Sequence, residues 1–316
     1  IENILISPDF LLSYIPFEVL FTEEPHKASA SKKGMVDYRS LPYLVKKYNL
    51  QYVYSTFNLI NGQVQELNYS EKPQVLAFSY SAHKDKGVSS EIRKLMATIP
   101  GAPMELDAIK QFFDGNYFYG TEANETNFKE TATKYDILHL AVHGTANPQD
   151  TYGAYLQFRP DKEVQNDGKF FNYELYNLKL KATLAVLSAC ESGMGKMNRG
   201  EGLLSIGRGF AYAGCPTTMM SLWQVNDHAT ASIVSDFYEE LEEGRSVKEA
   251  LKLAKVRYIK KSDELTAHPA YWAPMVSYGK NPQITQAINK KWLFVAIGIF
   301  LFAVLIFPIK KAFTKS

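Results

Sequence analysis

The chain has almost no cysteine. Two thiols occur in 316 residues, Cys190 and Cys215. That excludes a disulfide-stapled secreted scaffold and fits a reducing compartment, a single bridge between the two being the less favoured alternative. Acidic residues are absent after Glu264, whereas Lys280, Lys290, Lys291, Lys310, Lys311 and Lys315 all lie in that stretch. Taking those six from 35 basic residues leaves 29 against 33 acidic, so residues 1–279 carry about −4 although the whole chain is +2. A negative body argues against nucleic acid as its main partner. Internal repeats, low-complexity segments, nucleotide motifs and metal-ligand clusters are also missing, so no cofactor is expected. The chain opens at Ile1 without a methionine, three residues before the strand-like Ile4–Ser7, and residues are expected upstream.

What remains is an ordinary globular composition, 46% apolar and 22% charged, in a chain long enough to bury a full core. Residues 1–70 read as β-rich, with strand-like Ile4–Ser7, Gln51–Thr56 and Val64–Leu67 and turns at Pro8-Asp9 and Asn61-Gly62. Tyr80 to Gly101 reads as a long loop with a short helix, a candidate binding loop. From Val75 onward strand and helix alternate. Strands are expected at Val75–Ser79, Tyr117–Tyr119, Asp136–Val142, Thr183–Ala189, Thr217–Trp223 and, closing the sheet, Met275–Tyr278, with Ala154–Arg159 as an edge hairpin strand. Helices are expected over Met104–Phe113, from Asn124 to about Lys134, Phe171–Leu178, Gly202–Ala213, from a cap at Asp227 to Glu243, and from Ser246 to about Lys260. The last begins with the capping box Ser246-Val-Lys-Glu249. This alternation predicts an α/β fold, a mostly parallel central sheet flanked by helices on both faces.

The tail departs from that pattern. Trp292 to Ile309 is an uncharged apolar run bracketed by Lys290-Lys291 and Lys310-Lys311. As a helix its eighteen residues span roughly 27 Å, enough to cross a bilayer core of about 30 Å if the lysines snorkel. The sequence therefore predicts a globular unit over residues 1–280 (1–70 and 71–280 as its two parts), a juxtamembrane linker at 281–291, a transmembrane helix at 292–309 and a basic tail at 310–316. Similar lysine counts on both flanks leave the orientation open by charge. A reducing environment for the thiols places the globular part in the cytoplasm.

Two apolar runs end in reactive side chains: Asp136-Ile-Leu-His-Leu-Ala-Val-His143-Gly144 and Ala185-Val-Leu-Ser-Ala-Cys190-Glu-Ser-Gly193. In open α/β sheets chemistry gathers at the C-terminal tips of strands. A thiol becomes a good nucleophile once an imidazole takes its proton or stabilises its thiolate, and the same imidazole can protonate a leaving amine. His143 and Cys190 are thus candidates for a Cys/His dyad, with the backbone N–H groups of Gly144 and Cys190 as oxyanion donors. The bland alternatives are a small core cysteine and a packed histidine. The glycine and polar residues after both runs favour function. Asp136 reads as a structural residue at its strand start, Cys215 as a buried turn residue before Pro216. His139 and His143 are spaced H-x-x-x-H, but on a strand that separation is roughly 13 Å, too far to share one metal. No metal site is expected, and His139 reads as a packed or supporting group.

These motifs resemble those of the CHAT domain family, caspase-like peptidases related to caspases, separases and gingipains. The resemblance runs through Ile6-Ser-Pro-Asp9, Tyr14-Ile-Pro-Phe-Glu18, Pro100-Gly-Ala102 with Glu105, Tyr135 to Gly144, Leu187-Ser-Ala-Cys-Glu-Ser-Gly193, Gly200-Glu-Gly-Leu203, Ala211-Tyr-Ala-Gly214, Ser221-Leu-Trp-Gln-Val-Asn-Asp227 and His268-Pro-Ala-Tyr-Trp272. It departs mildly at Gln224, where the family often has proline, and at Cys215, where a small residue is usual. It implies a caspase-like sandwich that includes residues 1–70, a catalytic His143 and a nucleophilic Cys190. It further implies a protein substrate, and tetratricopeptide repeats or a regulatory protein as upstream partners. An acidic group in the substrate pocket would come from Asp227 or Glu191, with Trp223 as a wall, and would favour Arg or Lys before the cut. Asp227 also serves as a helix cap in this reading. The function expected is a membrane-anchored cysteine endopeptidase. The competing reading is a silent caspase-like scaffold that binds partners at the membrane.

Overall fold

The computed structural model describes residues 2–25, 36–54, 72–82, 99–145, 153–161, 166–188, 195–198, 202–223 and 226–284. Its strands are β1 (Asn3–Ile6), β2 (Asn49–Tyr52), β3 (Val75–Ser79), β4 (Gly115–Tyr119), β5 (Ile137–Ala141), β6 (His143–Thr145), β7 (Tyr155–Gln157), β8 (Lys169–Phe171), β9 (Leu184–Leu187), β10 (Gly195–Asn198), β11 (Gly202–Ser205), β12 (Thr217–Ser221) and β13 (Met275–Gly279). The α-helices are α1 (Leu44–Lys47), α2 (Ala102–Ile109), α3 (Glu125–Thr131), α4 (Ile206–Tyr212), α5 (Asp227–Glu242), α6 (Val247–Lys261) and α7 (Pro269–Trp272).

Eight strands form the central sheet in the order β1-β2-β13-β12-β9-β5-β3-β4. Every neighbouring pair is parallel except β12 with β13. The middle strands read VLAFS, ILHLA, LAVL and TTMMS, and every residue in them is buried. Near-continuous apolar runs are what a strand covered on both faces requires. Register divides the two faces. Ala77, His139, Val186 and Met219 stand in one row; Phe78, Leu140, Leu187 and Met220 stand in the next, on the opposite face. The first row faces α2 and α5, because His139 bonds Glu105 of α2 and Tyr238 of α5. The second row faces an aromatic cluster in which Phe78 meets Phe118, Phe128 and Phe158 at ring-centroid distances of 4.9, 5.8 and 5.5 Å. Further along that face α4 lies close on the sheet: a Cβ at Gly207 would come 2.5 Å from the Met220 sulfur.

Most expected elements are present, with instructive differences. Asn226, not Asp227, caps α5: its extended backbone lets the side chain accept from the His228 and Ala229 N–H groups. Asp227 becomes the first helical residue, where a carboxylate still complements the helix dipole. Gly202–Ser205 is a strand paired with Gly195–Asn198, and the helix starts only at Ile206. A short apolar run fits either period, and cross-strand pairing decides it here. β13 does not close the sheet. It lies between β12 and β2, so the two N-terminal strands join the same sheet beyond it. Tyr155–Gln157 is the middle strand of a separate three-stranded antiparallel sheet with β6 and β8. Val64–Leu67, the helix within Tyr80–Gly101 and the apolar run 292–309 lie outside the described residues. Among the described residues no helix is long and apolar enough to cross a membrane.

The N-terminal segment is tied to α6 by a buried ion pair. Lys255 Nζ lies 3.1 Å from Glu18 Oε1, with side chains 1% and 5% exposed, and Tyr52 donates its hydroxyl hydrogen to the same carboxylate. Desolvation lowers the Lys255 pKa against the pull of Glu18. Removing one partner strands a buried charge, which costs about 3–5 kcal/mol. Lys255→Met is therefore expected to lower stability by that amount in urea titrations, and adding Glu18→Gln to recover more than half of it. A single-variant loss below about 1 kcal/mol would contradict the buried-pair account.

Candidate active site

Strands β3, β5, β9 and β12 run parallel, so their C-terminal ends emerge on one edge of the sheet. Tyr80 and Ser188 directly follow β3 and β9, and His143 and Trp223 stand two residues past β5 and β12. A single buried residue, Val142, separates β5 from β6. His143 is thereby the first residue of β6 and pairs across from Gln157, with Gly144 opposite Leu156. Its backbone is fixed by the main sheet on one side and by the small sheet on the other. The imidazole is half-buried and stands edge-to-face with the Tyr80 ring, 4.6 Å between centroids at 72°.

Trp223 is also half-buried, and its indole N–H donates to the Ala270 carbonyl at 3.2 Å. Ser221 Oγ donates to the Trp223 carbonyl at 2.6 Å, holding the turn after β12. Asp227 follows at the start of α5. Gly101, at the start of α2, packs against it so closely that a Cβ there would lie 2.6 Å from the Asp227 carbonyl oxygen. Ser188 is buried, and its hydroxyl has no hydrogen-bond partner among the described residues. Cys190 and Glu191 lie outside the described residues. The edge thus gathers His143, Gly144, Trp223 and Asp227.

The other reactive groups stand elsewhere. His139 is fully buried on the α2 and α5 side, with Nε2 3.1 Å from Glu105 Oε2 and Nδ1 3.3 Å from the Tyr238 hydroxyl. It ties one strand to two helices. Asp136 sits at the opposite end of β5, accepting from the Gln74 N–H at 2.9 Å and pairing with Lys181 at 2.9 Å. Its role there is structural. Among the described residues no group of three His, Cys, Asp or Glu side chains could hold a metal ion. The sequence reading missed Tyr80 and Arg159. Arg159 places its guanidinium 4.3 Å from the Tyr80 ring centroid and is itself buried. An arginine directly after the apolar Ala154–Phe158 was the available signal.

Residues 1–280 match the family model described as the CHAT domain. Tetratricopeptide repeat protein 28 of Mus musculus is 28% identical over 223 residues, covering 61% of this chain and 9% of that protein. The Homo sapiens protein of the same name is 20% identical with the same shares. The chain thus spans under a tenth of the curated relatives it matches. Among solved structures, the Arg-specific cysteine proteinase gingipain R aligns with a TM-score of 0.50 at 10% identity, over 91% of this chain and 65% of that one. Separase in the Saccharomyces cerevisiae separase–securin complex aligns with a TM-score of 0.45 at 15% identity, over 75% and 14%. The gingipain likeness shows a shared caspase-like fold.

Cys215 has the opposite character to a nucleophile. It is fully buried, its Sγ lies 3.3 Å from the Thr217 carbonyl, and burial pushes its thiol up to about 12. Only the thiolate reacts readily. Iodoacetamide at pH 8 should leave Cys215 unmodified in the native chain and label it after denaturation, as read by peptide mass spectrometry. Rapid native labelling at Cys215 would contradict this packing.

Proposed function

The chain belongs to the CHAT domain family, and on that premise we propose that it is a cysteine endopeptidase working through His143 and Cys190. One observation carries the reading. Leu140 of β5 pairs with Leu187 of β9, and His143 and Cys190 each stand three residues beyond that pair. Adjacent strands lie about 4.8 Å apart. Cys190 is two positions beyond Ser188, which limits the chain's reach from the strand tip to roughly 7 Å. That equal count beyond a paired position on neighbouring strands supports reading His143 and Cys190 as base and nucleophile of one dyad.

The chemistry follows from that placement. His143 takes the Cys190 proton, and the thiolate attacks the scissile carbonyl carbon. The negative oxygen so formed accepts hydrogen bonds from the Gly144 and Cys190 backbone N–H groups. As the tetrahedral species collapses, the C–N bond breaks and His143 gives its proton to the departing amine. Water then attacks the thioester, with His143 again as base, and frees Cys190. Asp227 or Glu191 supplies a negative pocket for Arg or Lys before the cut, and Trp223 walls it. Gingipain R, whose fold this chain shares, is an Arg-specific cysteine proteinase, which agrees with such a pocket. Residues 281–291 link this unit to a membrane span at 292–309, with the globular part in the cytoplasm. The likeness to a tetratricopeptide repeat protein supports repeats or a regulatory protein as partners, acting on a specific protein substrate.

The test incubates the full chain and its Cys190→Ala and His143→Ala forms with a diverse peptide library, reading products by mass spectrometry. Cleavage after Arg or Lys by the native chain is expected to fall at least about 10³-fold in either variant. In Asp227→Asn the preference for a basic residue should weaken. Equal cleavage by native and Cys190→Ala chains would overturn the proposal.

A further inference from the structure

An imidazole at a half-exposed strand tip has two soft side-chain torsions, and general-base work needs its nitrogen within hydrogen-bond reach of one thiol. Backbone pairing fixes where His143 starts but not where its ring points. The ring meets Tyr80 edge-to-face at 4.6 Å and 72°, and such an aromatic wall restricts rotation about the outer torsion.

Tyr80 is itself held from several directions. Its N–H donates to the Ala141 carbonyl at 3.0 Å, joining it to the end of β5. Its carbonyl accepts from Arg159 Nε at 2.6 Å, and the Arg159 guanidinium lies over its ring at 4.3 Å. Arg159 is anchored in turn, since its N–H donates to the Ala123 carbonyl at 2.9 Å and its backbone bridges Asn124 at the start of α3. Arg159 also lies two residues beyond Gln157, the residue paired across from His143. One short segment, residues 157–159, therefore holds both the His143 backbone and the aromatic ring beside its imidazole.

An arginine only 5% exposed is costly to bury unless its bonds repay it. An apolar side chain would fill this space without that cost but could not grip both the carbonyl and the ring face of Tyr80. We propose that Tyr80 is a positioning residue that sets the His143 ring for proton transfer, with Arg159 holding Tyr80 in place. The purpose assigned to this arrangement rests on the peptidase reading; the restraint of the ring does not.

The test therefore has two arms, both on the full chain. In the first, selectively labelled tyrosine and histidine are used to look for a nuclear Overhauser effect between the Tyr80 and His143 rings, with His143 assigned from its Gln variant. The cross-peak is expected in the native chain and, in phenylalanine-labelled form, in Tyr80→Phe. Its absence from the native chain overturns the proposal, whether or not the chain cleaves anything. In the second, steady-state kinetics follow a peptide whose cleavage depends on Cys190. Tyr80→Leu is expected to lower kcat about 10–100-fold with KM within about twofold, Tyr80→Phe to stay within about threefold of native, and Arg159→Met to fall between them. Unchanged kcat in Tyr80→Leu, or an equal loss in Tyr80→Phe, would sink the idea. Thermal melting of each variant separates misfolding from misplacement. If Tyr80→Leu does not fold, the cross-peak and Arg159→Met decide the matter: native kcat in Arg159→Met, or a missing cross-peak, overturns the proposal.

Discussion

The register of four buried parallel strands is the constraint on which the rest of this molecule depends. A one-residue slip would send every side chain of a strand to the other face. Here it would push His139 away from Glu105 and Tyr238 and drive Phe78 out of its aromatic cluster. Polar bonds on one face and ring packing on the other fix the same alignment independently. That alignment delivers Tyr80, His143, Ser188 and Trp223 to one edge, within two residues of a common level.

Around that edge several polar and backbone ties support the site. The small β6-β7-β8 sheet fixes the histidine backbone, and Arg159 links it to Tyr80. On the other side the contact of Gly101 with Asp227 locks the start of α2 against the start of α5. Both helices also meet His139 from within the core. The same pair of helices thus touches both the centre of the sheet and the start of α5 at its edge. A change in the position of α2 would reach the edge through Gly101 and the centre of the sheet through Glu105.

Much of this was legible in the sequence, because buried parallel strands announce themselves as apolar runs and the helices carry explicit caps. The capping box at Ser246 and the Asn124 cap were readable to the residue. What local pattern could not reveal was strand order. β13 sits inside the sheet, not at its end, because β1 and β2, far away in sequence, pair beyond it. Strand order also explains why Tyr80 escaped notice. It follows β3, and only the pairing of β3 with β5 places it beside His143. The choice between Asn226 and Asp227 as cap turned on one backbone conformation, since both residue types cap well.

The central claim is that His143 and Cys190 act as one unit, and the reactivity of the thiol reports on that most directly. The rate of Cys190 alkylation should be followed from acid to alkaline pH in the native chain and in His143→Ala. A dyad predicts a native profile that reaches half its maximum at lower pH than an ordinary thiol does, and a return toward ordinary thiol behaviour without the imidazole. Superimposable profiles in the two chains would contradict the account, because the imidazole would then have no hold on the thiol.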